Sequence, residues 1–171
     1  MENPMRVPRI EKVTINVGIG AGGEKLENAI QILKSLTGKT AVKTITMKRI
    51  PDFGIRPKMV VGDKITLRRD EAKAFLNRAL DAVSRTIKPR QFDDYGNFSF
   101  GIKEHIDIPG VKYDPNLGVI GMDVCVTMER PGYRVRKRRL KKVPVGKGHL
   151  LKKEETMEFA KKNFGVRMGE S

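Results

Sequence analysis

Tryptophan is absent, cysteine occurs once and histidine twice in the 171 residues. A lone Cys125 excludes an internal disulfide framework and any cysteine-based zinc cluster, and His105 and His149 add little toward a metal site. No metal or other cofactor is therefore expected. No apolar run approaches the roughly 20 residues that span a bilayer, and the N-terminus lacks the apolar stretch of a secretion signal, so a cytoplasmic protein without a membrane partner is expected. Acidic residues are also scarce beside basic ones, 20 against 35, for a net charge of +15. An excess of that size attracts polyanions at long range, and with membranes disfavoured it points to nucleic acid.

What is present begins with Lys12-Val13-Thr14-Ile15-Asn16-Val17. Apolar and polar residues alternate, as they do again in Lys64-Ile65-Thr66-Leu67-Arg68, so a strand sends Val13, Ile15, Val17, Ile65 and Leu67 to a core. Lys12, Thr14, Asn16, Lys64, Thr66 and Arg68 fall on the other face, which displays groups that contact phosphate, ribose and base edges. Helical spacing of apolar residues predicts a helix from about Glu24 to Leu36, with Leu26, Ala29, Ile30, Leu33 and Leu36 inward, and a second over Asp70 to Ile87, stopped by Pro89. Strands are expected over Ile10–Val17, Thr40–Lys48, Gly62–Arg69, Phe98–Lys103 and from Ile120 to Met128, with a terminal helix over Lys153–Phe164. That order predicts an α+β fold of two layers. Its sheet is mostly antiparallel, with helices on one face and a topology related to the split β-α-β arrangement. The first and third strands are expected side by side and parallel. The length suits one compact body, read as residues 1–129 forming an RNA-binding domain and residues 130–171 a basic extension whose helix packs on it.

Gly18-x-Gly20-x-x-Gly23, after a strand and before a helix, matches the dinucleotide fingerprint by letter. Thr14 and Asn16 interrupt a strand that should be buried on both faces, and no acidic residue stands about 20 positions on. A turn is the better reading. In the stretch Arg49 to Val61, Phe53 and Ile55 sit among Arg49, Arg56 and Lys58; either the ring stacks on bases between cations or both apolar side chains fold onto the core. Asp93-Asp94 beside Gly96 and Asn97 reads as a turn. His105 reads as a surface or edge histidine, and Cys125 as structural, having no basic neighbour in sequence to lower its pKa. Arg134 to Lys142 is a run of cations that ordinarily becomes ordered only when a polyanion neutralises it.

Val7-Pro8-Arg9-Ile10-Glu11-Lys12-Val13-Thr14-Ile15-Asn16-Val17-Gly18-Ile19-Gly20, Phe53-Gly54-Ile55-Arg56, Gly62 to Arg68, Phe92-Asp93-Asp94-Tyr95-Gly96-Asn97-Phe98-Ser99-Phe100-Gly101 and Gly121-Met122-Asp123 together resemble the family of large-subunit ribosomal protein number five, which binds 5S ribosomal RNA. The short N-terminus and basic extension resemble its archaeal and eukaryotic branch. The resemblance implies a non-enzymatic ribosomal component in the central protuberance. It implies 5S rRNA contacts at Asn16, Phe53, Thr66 and Arg68 and, more loosely, at Lys39, Thr40 and Lys64. It also implies that the loop containing Arg49, Pro51, Phe53, Gly54, Ile55, Arg56 and Lys58 approaches peptidyl-site tRNA, and that loop 109–118 bridges to a protein of the small-subunit head. Further implied partners are 23S-type rRNA and other 5S-binding ribosomal proteins, with a monomer expected outside the ribosome. The alternative carried by charge alone is a general nucleic-acid-binding architectural protein.

Overall fold

A computed structural model describes residues 3–20 and 23–169. Its centre is β1 (Arg9–Gly18), followed by α1 (Glu24–Thr37), β2 (Val42–Ile45), β3 (Val60–Leu67) and α2 (Arg69–Ala82). Then come β4 (Thr86–Ile87), β5 (Phe98–Ile102), β6 (Met122–Glu129), α3 (Arg134–Lys137), α4 (Lys153–Phe164) and β7 (Arg167–Met168). Five strands form one sheet in the order β2-β3-β1-β6-β5, and β4 pairs with β7 in a separate two-stranded ladder.

The expected α+β class holds, but one pairing differs. β1 and β3 are neighbours that run antiparallel, with Thr14 opposite Thr66 and Asn16 opposite Lys64. The crossover through α1 makes β2, not β3, the strand parallel to β1; the return from β2 then inserts β3 between them in the opposite direction. Every pairing in the five-stranded sheet is antiparallel. The polar columns remain adjacent because antiparallel partners directly opposite one another share a face.

The helices shield the other face. Ala29, Ile32, Leu33 and Leu36 of α1 and Ala72, Phe75, Leu76, Ala79 and Leu80 of α2 form one core with Val13, Ile15, Val17, Ile65 and Leu67, and Leu26 of α1 is also buried. Ile32 occupies the buried stripe where Ile30 was expected, and Ile30 is only half-buried. Leu151, Ala160, Phe164 and Val166 belong to the same core. Gly96 marks how closely α4 approaches: it has φ +76°, and a Cβ there would lie 2.4 Å from Thr156 Oγ1. Gly62 serves the sheet itself, since a Cβ would meet the Val17 carbonyl oxygen at 2.2 Å.

The second helix ends at Ala82, not Ile87. Ser84 and Arg85 take left-handed conformations, and the chain leaves as β4, where Thr86 pairs with Arg167 and Ile87 with Met168. Ile87 is fully buried in the main core, which is why its spacing imitated a helix stripe, although its backbone pairs with a strand more than 70 residues away. The Arg85 guanidinium also donates to the Phe164 carbonyl at 2.8 Å. The strand expected over Thr40–Lys48 shortens to Val42–Ile45, and that over Gly62–Arg69 becomes Val60–Leu67.

His105 departs from the surface or edge position expected for it: it is 3% exposed, and its Nδ1 accepts from the Ile120 amide at 3.3 Å. Burial holds its pKa below the ordinary histidine value. Asp63 faces the helix side of β3, fully buried, and neither carboxylate oxygen has a hydrogen-bond partner. Desolvation raises its pKa, with the charge of Lys43, its cross-strand neighbour, opposing. A raised folded-state pKa contributes stability below the unfolded value and loses it as pH rises through the folded value. Replacing Asp63 with Asn should therefore improve relative stability as pH rises from about 4.5 to about 7.5. Urea unfolding of both proteins at the two pH values checks this; a pH-independent difference would mean the carboxylate is equally easy to ionise in both states.

Candidate nucleic-acid interface

The face of the sheet opposite the helices carries no covering element among the described residues. Strand pairing arranges its side chains in rows that run across the strands. One row reads Val42, Lys64, Asn16, Asp123 and Gly101; the next reads Thr66, Thr14, Cys125 and Ser99; a third joins Lys12 to Thr127. At about 4.8 Å between strands, the five-residue row extends roughly 19 Å. Lys64, Thr66, Asp123, Cys125 and Ser99 are exposed, whereas Lys12, Thr14 and Asn16 on the central strand are half-buried by neighbouring side chains. The sequence-predicted platform residues thus lie together.

Arg68 lies just past β3, at the start of α2, with its guanidinium 3.5 Å from Glu11. A register shift between Ile10 and Lys12 sets Glu11 as the extra residue of a bulge in β1. Glu11 and Glu129 are both largely covered; Lys137 reaches them at 2.7 and 2.9 Å, and Arg9 contacts Glu129 at 2.7 Å. Burial alone would raise the Glu129 pKa, but its bonds to Lys137 and Arg9 prevail and hold the carboxyl below its ordinary range. Burial would likewise lower Lys137, and the two glutamates outweigh it.

Lys39 and Thr40 lie after α1, apart from the rows; Lys39 is exposed and paired with Glu71. The stretch after β2 continues the hairpin. Ile50 and Ile55 exchange backbone hydrogen bonds of 3.0 Å around a turn over Pro51–Phe53 closed by left-handed Gly54. Phe53 is 71% exposed, so it does not fold onto the core, while Ile55 is half-buried. Arg49, Arg56 and Lys58 are exposed around the same tip. Val42, Ile45 and Met47 add an exposed apolar edge that composition did not reveal.

Sequence reasoning also missed Arg90, Gln91 and Ser99, which border a cleft of about 600 Å³ with Asn16, Asp123 and Cys125. Alternation within β5 could have marked Ser99, but Arg90 and Gln91 arrive through a loop. Desolvation and then the Asp123 charge push the Cys125 thiol above its ordinary pKa, which disfavours a nucleophilic thiolate. The glycine run leads from a strand antiparallel to both its neighbours, unlike the parallel sheet of dinucleotide-binding folds; Ala21 and Gly22 lie outside the described residues. No cluster of three or more metal-ligating side chains occurs among the described residues.

Comparison with known proteins identifies the lineage. Residues 3–56 match the family model described as ribosomal protein L5, and residues 60–159 match the model of the same ribosomal family's C-terminus. The chain belongs to the ribosomal protein L5 family. Relatives named large ribosomal subunit protein uL5 include that of Sulfurisphaera tokodaii, 52% identical over 98% of this chain and 96% of the relative. Those of Pyrobaculum aerophilum, 52% over 97% and 93%, and Nanoarchaeum equitans, 50% over 98% and 99%, are similar. The family consists of structural components of the large ribosomal subunit that bind ribosomal RNA and are not enzymes, which places this chain in the ribosome of the cytoplasm. No helix among the described residues is long and apolar enough to cross a membrane.

Because the rows lie outside the core, Asn16→Ala and Thr66→Ala should each change unfolding free energy by less than about 1 kcal/mol, whereas Ile15→Ala should cost about 2–5 kcal/mol. Denaturant titration separates the cases, and a core-sized loss from Asn16→Ala would show its amide to be part of the packing.

Proposed function

We propose that the open sheet face holds folded 5S rRNA and that the loops at one end of the sheet carry its contacts to peptidyl-site tRNA and to a protein of the small-subunit head. The carrying observation is the uncovered set of rows through Lys64, Asn16, Thr66 and Thr14, backed by a sheet whose other face is sealed. Hydroxyl, amide and ammonium groups there suit phosphate and 2′-hydroxyl oxygens, and the rigid sheet fixes their spacing. Binding through such a surface positions RNA without chemistry.

Chain direction supports the division of labour. β1 ends, β6 begins and the β2–β3 hairpin turns at the same end of the sheet, so Phe53 with Arg49, Arg56 and Lys58 projects from the end that also carries loop 109–118. That loop is shaped by Asp114, whose carbonyl accepts from the Leu117 amide at 3.1 Å, and Tyr113 is exposed on it. Asn28 of α1 donates to the Asn116 carbonyl at 3.4 Å, tying the loop to the body. An exposed ring among cations fits stacking on an RNA tip. Companion 5S-binding proteins and 23S-type rRNA belong to the same reading as neighbours in the central protuberance.

Binding of the purified full chain to transcribed 5S rRNA should weaken with salt, log affinity falling against log salt by about 0.7–0.9 per neutralised phosphate. Arg68→Ala and Asn16→Ala should each weaken it several-fold while the fold persists. A flat salt response, or equal competition by duplex DNA at physiological salt, would defeat the assignment and favour general nucleic-acid binding.

A further inference from the structure

The basic extension does not behave as a solvated tail. Residues 130–151, which include the short helix α3, form a segment anchored at both ends and in the middle. Arg130, 5% exposed, contacts Glu155 of α4 at 2.7 Å. The buried Tyr133 hydroxyl accepts from the Leu151 amide at 2.9 Å and donates to the His149 carbonyl at 3.2 Å. His149 Nε2 lies 2.9 Å from the Pro131 carbonyl. Between these anchors Lys137 inserts between Glu11 and Glu129 at the edge of the open face. Two carboxylates of the protein itself thus hold one cation of a run that the sequence alone would expect a polyanion to order.

Seven of the nine residues from Arg134 to Lys142 are basic, and only Lys137 is consumed by that clamp. Arg134, Arg136, Arg138, Arg139, Lys141 and Lys142 are exposed, and none forms a salt bridge among the described residues. The segment follows the C-terminal end of β6, where β1 begins and β3 ends, opposite the hairpin and loop 109–118. The platform row of Lys12 and Thr127 leads through Arg68 and Glu11 into it.

We infer that residues 134–142 form a preorganised cationic strap, fastened by the Glu11–Lys137–Glu129 clamp, that grips the phosphate backbone of ribosomal RNA continuing past the open face. The inference rests on the RNA reading of that face. Guanidinium groups held on an ordered loop favour phosphate because their forks are presented before binding, so less conformational entropy is lost on contact. Lys137 is a positioning residue and the exposed arginines are the contacts; the Arg138 Nε–H donates to the Lys141 carbonyl at 2.8 Å and Arg136 lies 5.7 Å over the Tyr133 ring, which leaves their terminal nitrogens outward-facing candidates for phosphate.

The test uses the full chain and transcribed 5S rRNA, with affinity measured across a salt series. Replacing Arg134, Arg136, Arg138 and Arg139 together with Ala should lower the slope of log affinity against log salt by about three and weaken binding at least tenfold at about 0.1 M salt. Lys137→Met, which removes only the clamp, should speed amide hydrogen exchange across 134–143 while the sheet stays protected, and should also weaken binding. An unchanged slope in the quadruple variant alongside the losses expected from Asn16→Ala overturns the strap, keeps the platform and leaves an acidic protein as the strap's occupant. The reverse pattern keeps the strap and removes the platform. Unaltered exchange and affinity in Lys137→Met overturn the clamp, and failure of the unaltered protein to bind the RNA overturns both readings.

Discussion

Antiparallel pairing of β1 with both β3 and β6 is the constraint on which the molecule depends. It forces residues on three strands into common rows, so one decision about which face meets the helices settles the surroundings of every side chain. Val13, Ile15 and Val17 are sealed and Thr14 and Asn16 are left outside because they alternate along one strand. Gly62 makes the close strand contact possible at the end where a side chain would collide with the Val17 carbonyl. A sheet covered on one side only is stable as an antiparallel structure, and its bare side is free for a partner.

Charge is distributed to match that asymmetry. Acidic groups near the interface are either engaged, as with Glu11 and Glu129, or interspersed with neutral donors, as with Asp123 beside Asn16. The engaged pair converts part of a self-repelling basic run into an ordered loop, a role separate from overall attraction for polyanions. The projecting ends of the protein are also separated: hairpin and loop 109–118 lie at one end of the sheet, and the basic segment at the other.

Much of this was legible in the chain. Alternation in Lys12–Val17 and Lys64–Arg68 identified both strands and the correct outward residues, and the net charge of +15 pointed to nucleic acid, in keeping with an rRNA-binding family. Residues 7–20 and 92–101 carry the resemblance to the family that the comparisons show. What failed did so where distant chain segments intervene. Ile87 kept helical phase and enters the core, but from β4, whose backbone pairs with β7. His105 showed no partner nearby in sequence because Ile120, across a loop, supplies its hydrogen bond. Arg90 and Gln91 join the cleft through a turn that carries no periodic signal.

By itself, then, the sequence determined which residues alternate, which helices are amphipathic and how strongly the protein attracts polyanions, since these depend on local spacing and composition. Only the tertiary structure decided the direction of β3 against β1, the exposure of Phe53 and the capture of Lys137 by Glu11 and Glu129. Those outcomes turn on contacts between residues far apart along the chain, whose geometry exists only once the sheet has closed.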